Sequence, residues 1–114
     1  MYFGAGWLKG EGLMNDLLKK IVEWNEANEY QKCVDAIEAI PEEERGYELT
    51  VLLGRAYSNL GVLGDNNSKA NEDGVDIFLL EKAVNIFESV RLQGLDDWYW
   101  NCRMAYALWM TAGR

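Results

Sequence analysis

Cys33 and Cys102 are the only thiols in the chain, and no histidine accompanies them. A cysteine nucleophile would lack the imidazole that ordinarily activates it. Zinc sites and serine triads built on histidine are excluded for the same reason. The two cysteines fit no CxxC or other ligand spacing, and each falls in an apolar helical pattern. Both therefore read as small buried hydrophobes of a reduced, cytoplasmic protein. Carboxylates are plentiful, but Glu42-Glu43-Glu44 is a charge run in a connector, the usual solvated arrangement. Asp65-Asn66-Asn67-Ser68, with Glu72-Asp73-Gly74 and Asp76, offers oxygen ligands of the kind calcium takes. It lacks the alternating spacing and distal glutamate of an EF-hand, which leaves a weak cation site or a plain loop. Gly61-Val62-Leu63-Gly64 follows no strand and precedes no GK[ST], so it is not a phosphate loop. The pattern predicts no enzyme, no cofactor and no metal.

The 114 residues, 49% of them hydrophobic, suffice for one domain with one core. Five Trp, six Tyr and three Phe argue against disorder. With 19 acidic and 11 basic residues the net charge is -8. Such a surface repels nucleic acid and anionic membranes and attracts basic proteins or peptides. No run approaches the ~20 apolar residues of a membrane span.

Helical periodicity runs almost throughout from Asn15. Asn15 or Asp16 is placed to cap a first helix carrying Leu17, Leu18, Ile21 and Trp24 on one stripe. The polar stretch from Asn25 to Glu29 breaks it. A second helix carries Tyr30, Cys33, Val34, Ile37 and Ile40 and stops at Pro41. Residues 41–46 read as a tight acidic connector. A third helix is predicted from Tyr47 to Leu60, with Leu49, Leu52, Leu53, Ala56, Tyr57 and Leu60 inward and Gly61 at its end. The pattern then fails over about 62–76, a length unusual for a plain loop. It resumes at Phe78, with Leu79, Leu80, Ala83, Val84, Ile86, Phe87 and Val90, and ends near Gly94. Asp96 or Asp97 caps a fifth helix from Trp98 to near the C-terminus. The expected fold is all-α, five antiparallel helices in a single domain over 15–114.

Residues 1–14 read as an irregular N-terminal segment. Met14 is a second candidate start, since Lys9-Gly10-Glu11 can be encoded by a purine-rich ribosome-binding sequence upstream of it. Otherwise Tyr2, Phe3 and Trp7 pack as an N-terminal arm.

The chain repeats internally. Leu53-Gly54-x-x-Tyr57 in the third helix matches Met104-Ala105-x-x-Leu108 in the fifth, pairing Leu53 with Met104, Gly54 with Ala105 and Tyr57 with Leu108. Leu53-Gly54-x-x-Tyr57, with Gly61 four residues on, resembles the first helix of a tetratricopeptide repeat. Ala83-x-x-x-Phe87 resembles the second helix of that repeat, and Tyr30-x-x-Cys33-x-x-x-Ile37 does so in the preceding pair. Leu53 and Met104 stand 51 residues apart, against a repeat period of 34. The surplus of 17 falls between Gly61 and Ala83, so one insertion at about 62–76 accounts for it. The segment Ile40-Pro41-Glu42-Glu43-Glu44-Arg45, followed by Tyr47-Glu48-Leu49, also resembles bacterial tetratricopeptide-type proteins.

The resemblance implies about two and a half repeats of antiparallel helix-turn-helix units, an α-solenoid scaffold binding a protein or peptide in its groove. Its groove positions fall on Glu48, Val51, Arg55, Ser58 and Asn59, and on Tyr99, Cys102, Arg103, Tyr106 and Trp109. The Lys/Asn set by which some members hold a carboxylate is absent, with Glu48 and Val51 in two of its places. Arg55, Asn59 and Arg103 could bind a carboxylate or backbone amides, with Tyr99, Tyr106 and Trp109 supplying flat contact area. Alternatively, Arg55 and Arg103 pair with Glu48 or Asp97 on a solvated surface.

On this reading the last helix has lost a neighbour, and Tyr99, Trp100, Tyr106, Trp109 and Met110 crowd it. An exposed aromatic patch of that kind marks an interface, either with a second copy or with a partner. The alternative function is a small acidic antitoxin or immunity-type inhibitor that covers the site of a basic enzyme.

Overall fold

The computed structural model describes residues 8–65 and 75–112, with side chains from residue 12 onward. The proposed arm of Tyr2, Phe3 and Trp7 and most of the 62–76 insertion lie outside the described residues. Within them the chain is all-helical, and it has six helices where five were expected.

Helix α1 spans Leu8–Glu26. Asn15 and Asp16 therefore lie inside it rather than capping it. Met14 packs on the core with Leu17, Leu18 and Trp24, so the apolar stripe begins upstream of the residues that resembled a cap. The helix ends where Asn28 turns left-handed at φ 60, a conformation asparagine tolerates better than most residues. Helix α2, Tyr30–Glu38, buries Tyr30, Cys33, Val34 and Ile37. Its N-terminus is capped from a distance: the Gln31 amide donates to Asp65 Oδ1 at 2.8 Å.

Helix α3, Glu42–Leu63, begins earlier than predicted. The expected connector is itself a helical turn, closed by Arg45 Nε donating to the Ile40 carbonyl at 2.9 Å. Gly46, at φ 74, separates this turn from the long helix that follows. That backbone conformation favours glycine, which has no Cβ to clash. From there Leu49, Leu53, Ala56 and Tyr57 are buried as expected, together with Val51, Ser58 and Asn59.

Helix α4, Ile77–Glu88, is capped by Asp76, which accepts from the amides of Phe78 and Leu79. Leu80, Ala83 and Phe87 are fully buried, whereas Phe78 is 81% exposed rather than joining the inward stripe. At Val90 the backbone leaves helical geometry and a separate short helix forms, α5, Arg91–Gly94. This supplies the sixth element. Helix α6, Trp98–Thr111, is capped by Asp97, which accepts from the Tyr99 amide at 3.0 Å.

The long helices pack in succession, α1 on α2, α2 on α3, α3 on α4 and α4 on α6, with the short α5 touching both α4 and α6 and with α3 also touching α6. The array measures 55 × 33 × 21 Å. Helices α3 and α4 are tightly packed at Gly54, where a Cβ would stand 2.6 Å from Phe87 Cε1. At the other end Trp100 is buried against Gly94 and donates its indole N–H to the Phe87 carbonyl at 2.9 Å. Trp100 is thus a core residue and not part of an exposed aromatic surface. In the same helix Ala107 is buried, while Leu108, the expected repeat counterpart of Tyr57, is 47% exposed.

Candidate binding groove

Three helices, α1, α3 and α6, contribute side chains to one side of the array. On α3, Arg55, Ser58 and Asn59 occupy a single turn. On α6, Tyr99, Arg103 and Tyr106 follow at steps of four and three, the spacing that keeps residues on one helical face. The two sets interlock. Arg55 Nη1 donates to Tyr99 Oη at 3.1 Å. Arg103 Nη2 donates to Ser58 Oγ at 2.8 Å and to Asn59 Oδ1 at 2.9 Å. Asn59 Nδ2 in turn donates to Asn25 Oδ1 on α1 at 3.2 Å. The Tyr106 ring centroid lies 4.9 Å from the Arg103 guanidinium, a cation–π contact.

The electrostatics of this cluster are unusual for an acidic protein. The ion pairs among the described residues are Lys32 with Glu29 and Arg91 with Glu88. Among the described residues neither Arg55 nor Arg103 forms an ion pair, with Glu48 and Asp97 no exception to this. Asp97 instead accepts from Tyr47 Oη at 2.5 Å. The Nε atoms of both arginines are buried and have no acceptor among the described residues. Burial holds Arg103 below the ordinary guanidinium pKa; Tyr99 counters this, and the like charge of Arg55 adds to the depression.

Next to the arginines lies a cavity of about 350 Å³. Leu18 and Val22 of α1, Tyr47, Glu48, Val51 and Leu52 of α3, Asp97 and Tyr99 line it. Tyr99 belongs to both features: it lines the cavity and accepts from Arg55. No family model matches the chain, and no curated protein or solved structure matches it either.

Of the predicted site residues, Arg55, Asn59, Tyr99, Arg103 and Tyr106 come together. Trp109 does not. It lies three residues beyond Tyr106, whereas the groove stripe of 99, 103 and 106 continues at 110, so Trp109 is turned outward and is 74% exposed. Cys102 is likewise exposed, contrary to its reading as a buried hydrophobe, while Cys33 is buried and free as expected. Burial pushes the Cys33 thiol pKa up, and its Sγ donates to the Ile21 carbonyl at 3.6 Å. The sequence reading missed Asn25 and the Leu18/Val22 wall. Asn25 follows Leu18, Ile21 and Val22 at helical spacing, a signal obscured by its role in ending α1. Among the described residues no group of three or more His, Cys, Asp or Glu could hold a metal, and no helix is long and apolar enough to cross a membrane.

Proposed function

We propose that the chain is a tetratricopeptide-like helical repeat whose work is binding rather than catalysis, with the groove of α1, α3 and α6 receiving an extended peptide segment of another protein. The observation that carries this reading is the continuity of two unlike features through Tyr99: an apolar cavity and a guanidinium pair without counter-charge. A peptide offers matching parts, an apolar side chain for the cavity and an acceptor for the arginines. The repeat reading draws support from the order of neighbours, each helix against the next and α3 against α6. The close Gly54–Phe87 crossing, with Ala83 buried beside it, supports it as well. Such stacks bury a continuous core and leave an extended concave surface free. Two unpaired cysteines, one of them exposed, suit a reducing cytoplasmic setting.

Capture of peptides from a degenerate library by the intact chain tests the reading. Val22 is half exposed at the cavity wall, so Val22→Glu should leave the fold intact, as checked by circular dichroism. It should lower capture by about tenfold, a modest share of a buried apolar anchor. Capture unchanged in Val22→Glu would sink the groove as the peptide site.

A second surface favours self-association. Trp98, Asn101, Ala105, Leu108 and Ala112 are exposed on α6 at alternating steps of three and four, flanked by Cys102 and Trp109. Copies carrying -8 each repel one another, and this uncharged stripe is where a second copy can approach without opposing charges.

A further inference from the structure

We propose that Arg55 and Arg103 form the binding site of a phosphoryl dianion, either carried on a side chain of the bound peptide or free as phosphate. The peptide form rests on the groove reading given above; the anion site itself does not.

Four observations lead here. The two arginines meet around one turn of α3: Arg55 belongs to it and reaches Tyr99, Arg103 donates to Ser58 and Asn59 on it, and the charge of Arg55 is felt at Arg103. Each commits one nitrogen to neutral acceptors, Tyr99 for Arg55 and Ser58 with Asn59 for Arg103. Both Nε–H groups are buried, with no acceptor among the described residues. Finally, the chain carries 19 acidic residues, yet neither arginine forms an ion pair among the described residues. A buried donor without an acceptor is a deficit that the folded protein tolerates only for a reason. Here an entering anion would fill it.

The chemistry selects the anion. Two guanidinium groups present two positive charges in planar forks, one of them lying over the Tyr106 ring at 4.9 Å. A single carboxylate brings one negative charge and two oxygens, so it leaves one arginine uncompensated. A phosphomonoester brings nearly two charges and three acceptor oxygens, enough to bridge both forks. The hydroxyls of Tyr99 and Ser58 already lie within hydrogen-bond reach of the guanidinium nitrogens and could turn to such an oxygen. The overall charge of -8 opposes any anion at long range. That field is screened beyond about 8 Å at physiological ionic strength, whereas contact with the paired arginines is not.

The test uses the full chain. First, ¹H–¹⁵N spectra of the arginine Nε–H groups are recorded while inorganic phosphate is added. Second, short degenerate peptide libraries are presented with a central phosphoserine, glutamate or serine. Phosphate should move the Nε–H signals of Arg55 and Arg103 and leave Arg45 in place. The phosphoserine library should be captured about tenfold better than the glutamate one. That preference should disappear in Arg55→Gln and Arg103→Gln and persist in Lys32→Gln. If phosphate moves the signals and phosphoserine and serine are captured alike, the site holds free phosphate, still a phosphoryl site. Glutamate and phosphoserine captured equally, and both better than serine, would overturn the dianion. Unmoved signals with no phosphoserine preference would overturn it too, while serine-library capture lost in Val22→Glu would leave the groove standing. Capture indifferent to Val22→Glu, with phosphate still moving both signals, would remove the peptide and keep the anion site. The spectra of the unaltered chain decide the matter even if an arginine variant fails to fold.

Discussion

The Tyr47 hydroxyl donates to the same Asp97 carboxylate that caps α6, joining the start of the long segment of α3 to the start of α6 at 2.5 Å. Two residues 50 positions apart thus align the two helices that carry the arginines. Burial pushes the Tyr47 phenol up to about 12, and the hydrogen bond to Asp97 and its charge push the same way. Asp97 is held below the ordinary carboxylate range by that hydrogen bond and by the backbone N–H groups it accepts, against a smaller desolvation effect.

Opposite pH dependences follow for the two partners. A phenol whose folded pKa is raised stabilises the fold below its unfolded value near 10; that stability is lost as pH rises from about 10 to about 12. A carboxylate whose folded pKa is lowered stabilises the fold above its unfolded value near 3.8 and loses that stability as pH falls below it. The melting temperature should therefore fall on both sides of neutrality. In Tyr47→Phe the alkaline loss between pH 10 and 12 should flatten, and the acid loss should shrink. An alkaline limb identical in Tyr47→Phe and the unaltered chain would assign it to other groups.

Gly54→Leu should destabilise the chain by about 1–3 kcal/mol, the range for overfilling a packed interior. The side chain would have to displace the Phe87 ring, whose nearest carbon already stands 2.6 Å from an added Cβ. Urea unfolding measures this, and a loss below about 1 kcal/mol would mean that α3 and α4 can separate there at little cost.

Native thiol titration should find one reactive cysteine. Cys102 is exposed, whereas Cys33 is 1% exposed and its pKa is raised by burial. A thiol needs access and thiolate character to react, so Cys33 should appear only in denaturant. Two thiols reacting at one rate in the native protein would contradict this packing.

Light scattering at two concentrations should give a mass of twice 13.0 kDa at the higher one. Trp98 and Trp109, each about three-quarters exposed, should be needed for it. Trp98→Ala combined with Trp109→Ala should return the mass to 13.0 kDa without loss of helix content. A mass of 13.0 kDa for the unaltered chain at both concentrations would rule out the α6 stripe as a self-association surface.

What the sequence made legible follows from how local each signal is. Three- and four-residue spacing identified the buried faces of α2 and α4, with Cys33, Ile37, Ala83 and Phe87 where expected, since that periodicity depends on nothing outside the helix. Arg55, Asn59, Tyr99, Arg103 and Tyr106 could be grouped for the same reason, two helical faces needing only one relative placement. The start of α1 was obscured because Asn15 and Asp16 resemble caps, and only packing of Met14 shows the helix running through them. Helix α5 was obscured because the break at Val90 has no glycine or proline to mark it. The Tyr47–Asp97 link and the absence of ion pairs at Arg55 and Arg103 among the described residues are long-range facts. Charge composition alone would have placed acids next to those arginines.

The inserted segment is anchored at both of its ends. Asp65 accepts from Gln31 at the start of α2, Asp76 caps α4, and the Asp76 amide donates to the Gly61 carbonyl at 2.7 Å. The two chain ends of the excursion are therefore already held together by contacts outside residues 66–74. Closing a loop costs only about 0.6 kcal/mol more for each doubling of its length. With its ends fixed in this way, the excursion can change in length at little cost in closure entropy, which makes this the place in the chain where an inserted sequence is best tolerated.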